Sequence, residues 1–207
     1  MGATAHFQTL RELMPLMASS DTTVDWEALA RSWGKEFPPD YQQFIELYAA
    51  GTIQEYLVVV APEPKGRPHR NVTGGMRHET ANAVDAWAFM AKSPELGGVS
   101  PELIAWGASA SADILCWDAS GDDPERWPVM VCNRDDHLWR RYDVGMAGFL
   151  VRIMRGEFYE CPLGGLNLWN KEGAKFLNER DYQRLLDEGL DPWTGELDPY
   201  AGMFPGN

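Results

Sequence analysis

Three cysteines in 207 residues, Cys116, Cys132 and Cys161, are too few for a secreted disulfide scaffold. No two of them have C-x-x-C spacing, which excludes the usual zinc and redox motifs built on that pair. Cys116 and Cys132 sit inside apolar runs and read as buried thiols. No apolar run approaches the roughly 20 residues needed to span a bilayer. The opening MGATAHFQTLRELMPLM lacks a basic start followed by a continuous apolar segment, so no signal peptide is expected and the cytoplasm is the expected compartment. Positive charge is scarce as well: 18 Lys and Arg face 31 Asp and Glu, a formal net charge of −13. That balance repels phosphate backbones and anionic membranes, so neither nucleic acid nor a membrane is an expected partner. It favours encounter with a basic protein, although the same charge also serves solubility alone.

What is present is ample core material. A chain of this length can hide roughly 70% of the surface its unfolded form exposes, and it needs no metal or disulfide to do so. Nine tryptophans suit a core and an interface equally, so their number does not choose between the two.

The most legible stretch is Asp25 to Pro62. Trp26, Leu29, Ala30 and Trp33 share one helical stripe, and Gly34 stops that helix. Phe37-Pro38-Pro39-Asp40 starts a second helix, with proline tolerated in its first turn and the Asp40 carboxylate at its positive pole. Tyr41, Phe44, Ile45, Leu47 and Tyr48 give that helix a wide apolar face, and Gly51 marks the turn after it. Ile53 to Val60 then reads as one strand, with Leu57 to Val60 covered on both faces.

Before this stretch, Phe7, Leu10, Leu13, Met14 and Met17 predict a short amphipathic helix that Pro15 ends early; Ser19 to Thr22 breaks it in any case. After it, residues 62–79 form a loop that is locally basic through Lys65, Arg67, Arg70 and Arg77, with His69 and His78. The loop has no phosphate-binding glycine motif and reads as an exposed connection. Thr80 to Lys92 predicts a helix with Val84, Trp87, Ala88 and Ala91 on its apolar face.

From Leu103 the pattern changes to short strands joined by turns: 103–107, 113–118, 128–132 and 137–142. Connections this short join antiparallel neighbours, so a meander is the simplest topology. Met146 to Met154 predicts a helix, with Gly156 as its stop. Residues 160–207 carry nine acidic and four basic residues, and Phe176, Leu177, Tyr182, Leu185 and Leu186 read as a short helix there. Trp193, Tyr200 and Phe204 stud its end, which is rich in proline and glycine.

Trp33-Gly34, Pro38-Pro39-Asp40-Tyr41, Phe44 and the turn at Gly51 resemble the SUKH superfamily, which includes a fungal regulator of cell-wall synthesis and many bacterial immunity proteins of polymorphic toxin systems. The second half resembles it too, in Trp106-Gly107, Leu115 to Asp118, the turn Gly121-Asp122-Asp123-Pro124, Trp127-Pro128-Val129 and Phe149-Leu150. The match covers most of Asp25 to Gly156. The resemblance implies a SUKH-like α+β domain at 1–159, an antiparallel meander sheet flanked by helices, with 160–207 as an acidic extension that packs on it or is partly disordered. It also implies a protein-binding role without catalysis or a cofactor, most simply the neutralisation of a toxin domain; a regulatory scaffold for endogenous proteins is the alternative.

Asp113, Asp118, Asp122, Asp123, Glu125, Asp135 and Asp136 come from neighbouring strands and turns, and a meander can gather several at one end of the sheet as a patch for a basic partner. Trp117, Trp127 and Trp139 lie near them as core or as interface anchors. Asp135-Asp136-His137 offers metal-ligand types, which makes a metal-dependent hydrolase the third and weakest reading; the ligand spacing is missing, and turns favour Asp for local backbone bonding. Cys116 and Cys132 lack any nucleophile context. Asp122, Asp123 and Glu125 crowd a Gly/Pro turn too wet for general-acid work.

Overall fold

The computed structural model describes residues 3–16, 22–62 and 75–199. Lys65, Arg67, His69 and Arg70 of the basic loop, Met17, Ser19 to Asp21, Tyr200 and Phe204 lie outside them.

The chain is α+β. Helices α1 (Ala3–Leu13), α2 (Trp26–Trp33) and α3 (Pro39–Tyr48) come first. Asp25 caps α2 by accepting from the Ala28 N–H at 2.9 Å, and Gly34 ends it at φ 71°, a conformation glycine adopts without steric cost. Pro39 occupies the first turn of α3. Strands β1 (Gly51–Ile53) and β2 (Leu57–Val59) follow, then α4 (Gly75–Phe89), β3 (Ala91–Lys92), β4 (Leu103–Ser109), β5 (Ile114–Asp118), β6 (Val129–Asn133), β7 (Leu138–Tyr142), α5 (Met146–Met154), β8 (Phe176–Asn178) and α6 (Glu179–Asp187).

Among the described residues eight strands join one sheet in the order β3-β7-β6-β5-β4-β2-β1-β8. Strands β4 to β7 pair antiparallel in chain order. The sheet as a whole is mixed and is not the expected antiparallel meander, because β3 lies parallel to β7. Ala91 and Lys92, one residue beyond the end of α4, run beside β7 in its own direction, a pairing that a hairpin connection cannot make.

The strands of the middle are buried on both faces, which is why they read as continuous apolar runs. Side chains alternate between two cores. Ile104, Trp106, Leu115, Trp117, Val129 and Val131 point to one, where α1, α3 and α5 pack. Leu103, Ala105, Ile114, Cys116, Met130, Cys132 and Trp139 point to the other, under α4. At Gly107 a Cβ would sit 2.9 Å from the Val58 carbonyl oxygen, so the close pairing of β2 and β4 requires glycine there.

Four further expectations are corrected. Ile53 to Val60 is a hairpin, with Gln54 and Glu55 in the left-handed region at φ 53° between β1 and β2. Helix α4 begins at Gly75, within the span read as loop, and Ala91 and Lys92 belong to β3. Its buried face is Met76, Ala83 and Ala86, whereas Val84 is 54% exposed and Ala88 faces solvent. Phe176 and Leu177 form the edge strand β8 beside β1, and the helix begins only at Glu179. Leu163, Leu168, Ala174 and Phe176 enter the first core, so the segment after Glu160 is built into it. Among the described residues no helix is long and apolar enough to cross a membrane.

Candidate functional site

The seven carboxylates expected to converge are divided between opposite ends of the sheet. Strand β5 separates Asp113 from Asp118 by five residues, about 17 Å at roughly 3.3 Å per residue. Asp135 and Asp136 lie in the β6–β7 turn at the Asp113 end, because Ile114 pairs with Cys132. Asp122, Asp123 and Glu125 lie in the β5–β6 connection at the other end, where Trp117 pairs with Val129.

At the first end Asp113 and Asp136 are engaged by the fold, whereas Asp135 is exposed. Asp113 is fully buried and accepts from the Ser109 hydroxyl at 2.6 Å, the Arg134 N–H at 2.9 Å, the Gly164 N–H at 3.0 Å and the Tyr56 hydroxyl at 3.3 Å. It thereby ties three turns to the segment after Glu160. Asp136 is bound by Arg140 at 2.6 Å and caps the Leu138 N–H. His137 takes φ 57°, as a tight turn requires, and is exposed. Among the described residues no three His, Cys, Asp or Glu side chains come together as a metal-binding group. Burial pushes the Cys116 thiol well above its ordinary value and Cys132 to about 11, which disfavours the reactive thiolate.

The second end presents its charge. Asp118 is largely buried and accepts from the Ser120 hydroxyl at 2.5 Å, with Arg141 at 3.7 Å. Beyond it, Asp122, Asp123 and Glu125 are exposed. Asp123 caps the 3-10 turn Pro124–Arg126 and pairs with Arg126 at 3.2 Å. Asp122 and Glu125 have no ion-pair partner among the described residues. The turn that carries them is held from below: the buried Trp127 donates its indole N–H to the Gly121 carbonyl at 2.7 Å. Trp117 and Trp139 are also fully buried, so all three tryptophans are core.

A cleft of about 180 Å³ opens beside this turn. Its wall is His6 from α1, Pro38, Pro39 and Asp40 from α3, Pro124 and Glu125 from the turn, and Asp143, Val144, Gly145 and Gly148 around the start of α5. Asp40 is 5% exposed and accepts from the Ala147 N–H at 2.9 Å, a bond that caps α5 from another helix. Burial raises the Asp40 carboxyl above its ordinary value, and the N–H of Ala147 opposes that rise. Burial lowers the His6 imidazole. Asp143 pairs with Arg141 at 2.8 Å. Sequence reading missed His6, Asp143 and Val144 because they come from distant segments that only the fold brings together.

The residues that carry the family resemblance serve structure here. Tyr41 is buried, donates to the Val60 carbonyl at 2.6 Å and meets Trp117 edge-on at 5.0 Å. Phe44 stacks on Tyr48 at 4.8 Å and meets Phe176 of β8. Trp33 lies against Phe37 and beneath the Arg77 guanidinium at 4.3 Å. Trp106 packs on Phe149 of α5. Pro38 borders the cleft, and Gly51 opens β1 opposite Asn178. Comparisons with protein-family models, with curated proteins and with solved structures find no match.

Proposed function

We propose that this chain is a non-enzymatic, SUKH-like binding protein of the bacterial cytoplasm that neutralises a toxin domain by direct contact. One observation carries the reading. The turn from Asp122 to Glu125 offers exposed acidic groups on a braced backbone, while at the far end of the sheet Asp113 and Asp136 are bound within the fold and, among the described residues there, only the Asp135 carboxylate stands exposed without a bond. Rigid, unpaired charge at a surface steers a basic partner and fixes its orientation. The net charge of −13 acts in the same direction at longer range, which suits a basic toxin such as a nuclease.

The placement of the family-like residues supports the same reading. They hold α3 and α5 against the sheet and against each other, which leaves the exposed connections between strands free to meet a partner.

The decisive experiment is capture from the native host, followed by expression of the captured protein alone and together with this chain. The expected result is a basic protein that is toxic alone and harmless in the complex. A set of captured endogenous proteins with no toxicity would replace immunity with the scaffold role.

A further inference from the structure

We infer that the outer face of α4 is a contact surface for a second copy of this chain. Met76, Ala83 and Ala86 turn the inner face of this helix into the sheet. The outer face of such a helix is ordinarily polar. Helices α1 and α6 follow that rule: α1 exposes Gln8, Arg11 and Glu12, and α6 exposes Gln183, Arg184 and Asp187. Helix α4 departs from it. Ala81, Val84, Ala88 and Phe89 all face solvent, Val84 at 54% and Phe89 at 89%. A helix that is apolar on both sides is normally covered on both.

The charges on this face identify what covers it. Its first turn is Gly75, Met76, Arg77 and His78, so basic residues stand where a helix start favours anions. Arg77 and His78 are exposed, and they end the basic stretch of an otherwise acidic chain. The Arg77 guanidinium rests on the Trp33 ring at 4.3 Å, which keeps its charge at the helix start. Glu79 is half-buried and accepts from Asn82 at 3.2 Å, so it is turned aside. The first turn therefore complements a carboxylate, and a basic toxin does not suit it. Asp85, exposed two turns later, is the carboxylate that the face itself offers.

The spacing is self-complementary. Arg77 and His78 precede Ala81 by four and three residues, and Val84 and Asp85 follow it by three and four. Residues three and four apart are neighbours on a helix, so all of them share one side. Two antiparallel copies crossing at Ala81 therefore set each Asp85 against the Arg77–His78 turn of the other, twice by symmetry. Ala81 at the crossing allows close approach, Val84 meets the stem of Arg77, and Phe89 falls at the rim. An imidazole donates to a carboxylate in either protonation state. Helix α4 covers the face of the sheet opposite α3, whereas the turn from Asp122 to Glu125 borders α3, so the dimer leaves that turn open. One helix crossing buries less than about 1,200 Å², which sets association in roughly the tens of micromolar.

Sedimentation of the intact chain over about 5–500 µM tests the contact, and a reversible monomer–dimer equilibrium is expected. His78→Asp alone and Asp85→Lys alone should each weaken the dimer at least tenfold, because each sets like charges together. Mixed in equal amounts, the two variants should regain it, since both contacts then join opposite charges. His78→Asp places an anion at a helix start, so lost association would not stem from a weakened helix. Ala81→Trp should block the dimer in every mixture, with an unchanged melting temperature. A chain that stays monomeric to about 500 µM would overturn the inference. So would a dimer that either single variant leaves intact, or one that mixing fails to restore. Each result stands whether or not a toxin is captured.

Discussion

The two ends of the central sheet use the same residue type for opposite purposes. At one end Asp113 is buried and surrounded by four donors from three turns and the later segment. At the other, Asp122 and Glu125 stand in solvent on a turn clamped by Trp127. Asp40 lies between these cases, buried yet lining a cleft. Composition is therefore a poor guide to surface charge, because an acidic residue already consumed by the fold does little to attract a partner.

Substitution at each position separates the two uses. Asp113→Ala should have the largest effect on stability, at least about 3 kcal/mol, because it leaves several buried donors without an acceptor. Chemical denaturation measures it, and a loss below about 1 kcal/mol would erase the contrast between the two ends. Asp40→Ala removes the cap of α5 and should cost about 1–2 kcal/mol.

Asp40 also has a pH signature. Its carboxyl is raised by burial, so the folded chain holds this proton more tightly than the unfolded chain does. The stability it contributes is complete below the unfolded value of about 3.9 and is lost as pH rises through the higher folded value. Melting curves taken upward from about pH 4 should therefore show wild type losing ground to Asp40→Asn, which does not titrate. A constant difference would mean that the raised carboxyl is not the group responsible.

Trp127→Phe removes the bond to Gly121 and should cost about 1 kcal/mol, with a looser acidic turn. Proton exchange in that turn would report the loosening. The smallest stability effect belongs to the Asp122→Lys, Glu125→Lys pair, within about 0.5 kcal/mol of wild type. That variant should nevertheless lose partner capture, and unchanged capture would move the binding face away from this end of the sheet.

The legible part of the fold was the part whose chemistry is local. Gly34, the Pro38-Pro39 entry and the apolar face of α3 are each written within a few residues, and so are the turns that separate β4 to β7. The hairpin at Gln54 and Glu55 was hidden because neither residue is a usual left-handed turn former. Helix α4 was misphased because it packs through Ala83 and Ala86, while the larger Val84 points outward. Two-residue β3 is below any periodic signal. The start of α6 did carry one: Asn178 accepts from the Asp181 N–H at 2.9 Å, an N-cap three residues before an acid. The candidate site was legible as a list of acidic residues but not as a place. Which carboxylates are occupied depends on Gly164, Arg134 and Ser109 arriving from elsewhere.

Strand β8 has a consequence in time. Ile53 pairs with Phe176 and Gly51 with Asn178, partners more than a hundred positions apart along the polymer. During synthesis the outer margin of β1 must wait, unpaired, until the ribosome has delivered that much more chain. A nascent intermediate with an open, sticky border is therefore built into the order of assembly, and a chaperone that shields it would find its substrate there.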